Sequence, residues 1–425
     1  MPAREPAAGN DRGASDSDGR YLATTNQVPA RQGLTQTLVI LSSAVGVLGV
    51  QMVSPLLPAM QAALQLSTAE TGAIVSSYSI AAFLTTLPAG LVADRFGTRR
   101  VLFWSLLLFG VSGLATVAVQ GFLLLIVVRV IQGIAFAALV PLTIGVLIDV
   151  VRPERQSHAQ SYRVAGMSGA EFVLPLVAGL LVAATGRWQA PFLLFAMPLI
   201  LAVLVRRVLP HSTVEHVPLK RGEYRPQVLS AARDPLIVSL FVVGFVRWWL
   251  KYGFFTFMPL YLYDTLHIGV ASIGAIVATQ GLLGAVVSSQ TGRLGTGVAA
   301  RATLVCSTIM MGASVAALPF MHAAWWAVTM CMVLGVADGL AGPLMNGLVG
   351  ILPPAAVRTT VIALSGTGRN LGKAVAPAAI GLIISGTGYS VGFVLAGAVG
   401  LAAPLYLRPL WAPRLSRLRR RPASG

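Results

Sequence analysis

Seven ionisable residues stand deep inside long apolar runs: Arg129, Glu171, Arg247, Lys251, Asp338, Arg369 and Lys373. A charge at the centre of a bilayer-spanning helix costs roughly 2.5–3.5 kcal/mol. So many are tolerated only where they face one another or a watered cavity. Arg247 and Lys251 are four residues apart, as are Arg369 and Lys373, so each pair shares a helix face. The cations outnumber the carboxylates, Glu171 and Asp338, by three when all are ionised. Two kinds of chemistry suit such a set. A carboxyl group protonated in one state and ionised in another carries a proton, which makes Glu171 and Asp338 the candidates, with Arg129 as their modulator. Unpaired cations draw an anionic group, so Gln51, Gln132, Arg247, Lys251, Arg369, Asn370 and Lys373 are the candidate lining of a solute cavity. The plainer alternatives are static: a helix-packing ion pair for Arg129, a permanent pair of Glu171 with Lys373 or Arg369, and interhelical hydrogen bonds for Arg369 and Asn370. The aromatics Tyr252, Phe254, Phe255, Phe257, Tyr261 and Tyr263 fit either an organic-solute pocket or contact with lipid and its interface.

The elements that position these residues are membrane helices. Charged residues are 11% of the chain and hydrophobic ones 56%, whereas a soluble domain carries about 25% charged residues. Apolar runs long enough to cross a bilayer fall near 35–59, 69–92, 101–119, 122–148, 159–184, 190–208, 236–262, 270–291, 302–320, 324–350, 359–384 and 389–410. The net charge of +17 is spread through alternate loops rather than in one patch, which argues against a nucleic-acid partner. Arg95, Arg99, Arg100, Arg152, Arg155, Arg206, Arg207, Lys220, Arg221, Arg225, Arg233, Arg293, Arg301 and Arg358 fill every second loop, and Arg414 to Arg421 the tail. By the positive-inside bias those loops and both termini are cytoplasmic. Cys306 and Cys331 lie inside spans and read as packing residues, not as a disulfide or metal pair. Neither a metal nor a cofactor is expected.

The chain is a duplicated half. Gly72-Ala73-Ile74-Val75 recurs as Gly274-Ala275-Ile276-Val277, at an offset of 202 positions. The same offset relates Gly90 to Gly292, Gly133 to Gly335, Pro141-Leu142 to Pro343-Leu344, Gly145 to Gly347, Pro175 to Pro377 and Gly179 to Gly381. The expected architecture is all-α and integral to the membrane, with about twelve transmembrane helices in two pseudo-symmetric six-helix bundles. Residues 34–209 form the first bundle and 234–410 the second. Residues 1–33 are read as a disordered N-terminus, 210–233 as a cytoplasmic linker and 411–425 as a basic tail. Two repeats with a site between them is an alternating-access arrangement.

The loop after the second span reads Gly90-Leu-Val-Ala-Asp94-Arg95-Phe-Gly97-Thr-Arg99-Arg100. Gly90 lets helices approach, Asp94 suits a helix N-terminus, Gly97 permits a tight turn, and the arginines hold to the basic side. The pattern G-x-x-x-D-R-x-G-x-R-R resembles the second-to-third-helix loop of the major facilitator superfamily. Arg129-Val-Ile-Gln132-Gly133 resembles that family's fourth-helix motif, which in its proton-coupled exporters is associated with proton transfer. Pro55, Pro58, Trp188, Pro191 and Phe192 fit the same likeness to the twelve-helix drug:proton antiporter branch. Of that branch's fifth-helix glycine pattern only Pro175 and Gly179 remain; Ala170, Leu174 and Ala178 stand at the other positions. The second repeat has lost the charged loop, with Thr296 and Gly297 in place of Asp94 and Arg95.

The resemblance implies a secondary transporter that moves a small organic solute, neutral or anionic, by alternating access. Proton-coupled export across the cell membrane is the leading expectation, with Gly90, Asp94, Arg95, Gly97, Arg99 and Arg100 as a cytoplasmic latch. The alternatives are an organic-anion uptake or exchange carrier, and a non-transporting membrane sensor or assembly partner. The scattered histidines and the lack of a nucleotide-binding or H-E-x-x-H motif argue against an enzyme.

Overall fold

The computed structural model describes residues 29–151, 153–209, 235–291, 298–320, 323–351 and 358–411. Twelve helical spans follow one another, and no strand occurs among the described residues. The first, α1 (Pro29–Val45), bends through single turns at Gly46–Gly49 and Ser54–Leu56 and continues as Leu57–Leu64. It begins inside the segment expected to be disordered, because Pro29 can open a helix with a preset φ and no lost hydrogen bond. Next come α2 (Thr68–Phe96), α3 (Thr98–Ala115), α4 (Phe122–Val150) and α5 (Pro153–Thr185). A 3-10 segment, Ala190–Phe195, leads into α6 (Ala196–Val208). The second half repeats the order with α7 (Pro235–Leu266), α8 (Val270–Thr291), α9 (Val298–Ala316), α10 (Ala324–Ile351), α11 (Arg358–Thr387) and α12 (Tyr389–Leu401). Residues 1–28, the linker 210–234 and the tail from 412 lie outside the described residues, as does the loop 292–297 with Gly292.

Local chemistry sets the ends of α2. Ser67 Oγ accepts from the Glu70 N–H at 3.2 Å and Glu70 Oε2 accepts from the Ser67 N–H at 2.8 Å, a reciprocal cap on two otherwise unpaired donors. Gly97 ends the helix with φ +89°, a conformation open to glycine at little cost, as the loop pattern predicted.

The sequence repeat becomes a structural seam. The halves meet where α2 packs on α11 and where α5 packs on α8. Gly72 lies against the carbonyl of Pro377, and its repeat mate Gly274 lies against the carbonyl of Pro175. A Cβ at Gly179 would stand 2.9 Å from the Val270 carbonyl oxygen, and one at Gly381 3.1 Å from that of Thr68. Four of the glycines that revealed the duplication, Gly72, Gly179, Gly274 and Gly381, are thus points where opposite halves touch. Ser76 Oγ accepts from the Ala378 N–H at 2.8 Å, beside the break that Pro377 makes in α11. Ser54 Oγ donates to the Phe255 carbonyl, tying the bend after α1 to α7. These contacts lie toward the end of the molecule that carries the α1–α2 loop, here called the far end. The opposite, basic end carries Arg95 to Arg100.

Among the described residues, ten stretches are long and apolar enough to cross a membrane by length and composition. α2 and α11 pack on each other across the seam, where protein rather than lipid is the neighbour. The aromatics of α7 are mostly internal too. Tyr252, Phe254, Phe255, Phe257 and Tyr261 are buried, and only Tyr263 is exposed. Lipid contact therefore does not account for them: Phe257, for example, fills the space beside Gly72 and Gly381.

Candidate functional site

Three helices of the second half and one of the first bring the predicted charges together. Asp338, midway along α10, is held from two sides. Its Oδ1 accepts from Arg247 Nε at 3.0 Å and Nη2 at 2.7 Å, and its Oδ2 accepts from Lys251 Nζ at 2.8 Å. Arg247 and Lys251 share a face of α7 as their spacing predicted, and that face meets α10. Gly342, one turn beyond Asp338, gives the guanidinium room: a Cβ there would stand 2.9 Å from Arg247 Nη2.

Lys251 also reaches across the seam. Its Nζ lies 3.5 Å from Glu171 Oε1 on α5. The expected pairing of Glu171 with Lys373 or Arg369 is not the observed one. The reason is geometric: α5 and α11 are repeat mates, and the pseudo-symmetry sets each against the other half's second helix (α8 and α2) rather than against each other. The two carboxylates also differ in setting. The side chain of Asp338 is 11% exposed and that of Glu171 24%. Asp338 is clamped by hydrogen bonds to two cations, whereas Glu171 faces one cation that it shares with Asp338.

Arg369 and Lys373 on α11 are half-buried, and neither is within ion-pair distance of a carboxylate among the described residues. Lys373 Nζ instead rests 4.0 Å from the centre of the Trp248 ring. Asn370 is half-buried beside them. Gly368 and Gly372 press α11 onto the backbone at Phe241 and Phe245, as close-packing glycines should, while Gly366 meets only the Arg369 side chain.

Arg129 belongs to a different environment. It is fully buried, and its Nη1 donates to Gln132 Oε1 at 2.9 Å. Gln132 Nε2 donates in turn to Thr116 Oγ1 at 3.3 Å. The guanidinium lies 5.0 Å from the Tyr78 ring centre. Among the described residues no carboxylate pairs with it, so the helix-packing ion pair does not form, and neither Glu171 nor Asp338 reaches it. Arg129 Nε and Nη2, the Tyr78 hydroxyl and Gln51 Oε1 are buried and find no partner among the described residues. Gln132 therefore joins Arg129 rather than the ionic cluster. Gly133 seats α4 on the Tyr78 carbonyl of α2, and Gly335 seats α10 on the Gln280 carbonyl of α8 in the matching way.

At the basic end, Arg95 and Arg100 are exposed and Arg95 stacks on Phe96. Arg99 donates to the Arg206 carbonyl at the end of α6. Among the described residues, a Cβ at Gly90 would meet nothing within 4 Å. The side chain of Asp94 lies outside the described residues. Cys331 is buried and Cys306 exposed, and neither is in a disulfide.

The profile of the Major Facilitator Superfamily matches residues 39–373 and, in a second alignment, 236–425. The chain belongs to the Major Facilitator Superfamily. It is a multi-pass membrane protein of the transporter class, not of an enzyme class. Among curated relatives, the uncharacterised MFS-type transporter YceJ of Bacillus subtilis is 26% identical over 79% of this chain and 85% of its own length. The quinolone resistance protein NorA of Staphylococcus aureus is 23% identical over 56% of this chain, which spans 61% of NorA. Among solved structures, a bacterial homologue of the human lysosomal transporter Spinster, inward-facing and occupied, superposes with a TM-score of 0.77 at 13% identity, covering 94% of this chain and all of that one. The nucleoside transporter NupG gives 0.75 at 14% identity, covering 90% and all of that chain. At such identities the likeness is one of fold.

Sequence reasoning missed Trp248. Its signal was present: it precedes Lys251 by three residues and so shares a helix face with it. Gly342 was missed as well, since nothing in the sequence says which face of α10 meets Arg247.

Proposed function

We propose that this Major Facilitator carrier exports a small organic solute, neutral or anionic, in exchange for protons, and that Glu171 carries the proton. The observation behind this reading is the 3.5 Å pair between Glu171 and Lys251, one residue from each half. Protonation of Glu171 abolishes its charge and with it the attraction that holds the halves together at this level. Lys251 then falls wholly to Asp338, whose clamp is satisfied in either state. Of the two carboxylates expected to couple, Asp338 is the fixed anchor and Glu171 the switch. The direction of transport rests on NorA, whose name records drug resistance, an outcome that export produces. The basic end is assigned to the cytoplasm by the positive-inside bias, with both termini there and the protein in the plasma membrane. On that assignment the far-end seam closes the outer side. Asp94 and the arginines around it form the latch of the opposite state, when α2 meets the start of α11.

A second reading is favoured by the surplus of cations. Arg129, Arg369 and Lys373 lack carboxylate partners among the described residues, which suits uptake or exchange of an organic anion. One experiment separates the two. Proteoliposomes containing the full chain are loaded with solute, and a pH gradient is imposed. Proton-coupled export predicts solute movement that follows the gradient and collapses with a protonophore. Flux indifferent to the gradient but stimulated by solute on the opposite side establishes the exchange reading instead.

A further inference from the structure

We propose that the paired cations of α11 and the indole of α7 form a binding site for an aromatic carboxylate: Lys373 and Arg369 take the carboxylate, and the face of Trp248 takes the ring. The proposal rests on the transport reading above and names the solute class of the same cavity.

Trp248 stands among three cations. Lys373 Nζ is 4.0 Å from its ring centre, Lys251 Nζ 5.2 Å and Arg247 Cζ 5.9 Å. Two of the three are occupied, since Arg247 and Lys251 are bound to Asp338 and Glu171. Lys373 is not, and neither is Arg369 one helical turn away; both keep some exposure. A cation resting on a ring is a weaker arrangement than a charge-assisted hydrogen bond to an anion. An arriving carboxylate therefore gains both α11 side chains, with Arg369 supplying a planar fork that matches two carboxylate oxygens. As Lys373 turns to the carboxylate, the face of Trp248 is freed. That ring is held edge-on by Tyr252 at 5.7 Å, so its plane is set before any ligand binds. A fixed, vacated indole face is the partner for an offset-stacked aromatic ring.

Three further features agree. The Trp248 Nε1–H is buried without an acceptor among the described residues. Gly368 and Gly372 hold α11 tightly against the α7 backbone, which fixes the spacing between the two cations and the indole. A cationic solute would meet Lys373 and Arg369 with no carboxylate beside either among the described residues, which disfavours it electrostatically. An aliphatic acid satisfies the cations but leaves the indole face unused, and a neutral aromatic does the reverse.

The test is binding to the purified full-length protein by titration calorimetry, with no gradient present. The probes are 2-naphthoate, its methyl ester and cyclohexanecarboxylate. Naphthoate is expected to bind, with the ester and the aliphatic acid each at least about tenfold weaker. Lys373→Gln weakens naphthoate about tenfold or more without weakening the ester, and Lys373→Arg restores most of the loss. Trp248→Leu brings naphthoate to the level of the aliphatic acid. Equal binding of acid and ester, or wild-type naphthoate affinity in Lys373→Gln, overturns the proposal. Equal binding of the aromatic and aliphatic acids removes the role of Trp248 and overturns it too. Proton coupling plays no part in this measurement. Its failure leaves the role of Glu171 standing, and intact naphthoate binding in a protein whose flux ignores the pH gradient overturns only the coupling.

Discussion

At equivalent positions of the repeat, the two halves solve the same packing problem with opposite chemistry. In the second half, Arg247 and Lys251 of α7 bind Asp338 of α10, and the Trp248 ring lies beside Lys251. The matching positions in the first half hold Val45, Gly46 and Gly49 on and just after α1, with Phe136 on α4. There the Phe136 ring lies over Gly46, and Tyr78 lies against Gly49. One half fills the slot with ions, the other with aromatic rings over glycine. Arg129, the fully buried cation of the first half, sits where the second half has Cys331, and the groups it meets are neutral. The second half therefore binds two of its four deep cations to Asp338, whereas Arg129 in the first half meets only neutral groups among the described residues. A buried pair that loses one member leaves a stranded charge, whereas an unpaired charge is a standing cost that its removal relieves. On the proposed reading, the comparison makes Asp338 a structural anchor and Arg129 a residue kept for function at a cost to stability.

The largest effect tests that contrast. Asp338→Asn strands Arg247 and leaves Lys251 with Glu171 alone, which is expected to cost about 3–5 kcal/mol in stability. Arg129→Gln is expected to leave stability unchanged or raised, while transport falls at least about tenfold (about 1.4 kcal/mol in the barrier). Thermal unfolding in detergent and transport by proteoliposomes read the two quantities separately. If Arg129→Gln is as unstable as Asp338→Asn, the halves do not differ in the way described.

Much of the contrast was legible in the sequence. The twelve spans, the duplication and all seven deep charges came from composition, apolar run length and spacing, because a bilayer leaves few other solutions. The surplus of three cations was also visible, and the structure shows which three they are: Arg129, Arg369 and Lys373. The pairing was not legible. Repeat symmetry places Glu171 and Lys373 at equivalent positions, but equivalence under a pseudo-two-fold is not contact, and Lys251 is the residue that Glu171 meets. The loop signature foretold the left-handed Gly97, which is local chemistry. The α7 aromatics misled because sequence alone cannot tell a helix face packed on protein from one packed on lipid.

A smaller effect tests the symmetry of the seam. Gly72→Val and Gly274→Val each push a side chain into a backbone carbonyl of the opposite half, Pro377 or Pro175. Overpacking of this kind costs about 1–3 kcal/mol, and the relief available is separation of the halves at the far end. Both variants are expected to raise thiol-reagent labelling of a cysteine introduced at Ser76, and to similar extents. A rise in one variant alone would show that the two sides of the seam do not act as repeat mates.

The central claim is that the ion pair across the seam is the coupling element and the pair within the second half is not. It is tested most directly by measuring solute counterflow and pH-gradient-driven transport side by side for Glu171→Gln in proteoliposomes. The glutamine mimics the protonated carboxyl, so counterflow is expected to persist near the wild-type rate while the response to the gradient disappears. Gradient-driven transport that survives unchanged in Glu171→Gln would contradict the account and place the coupling proton elsewhere.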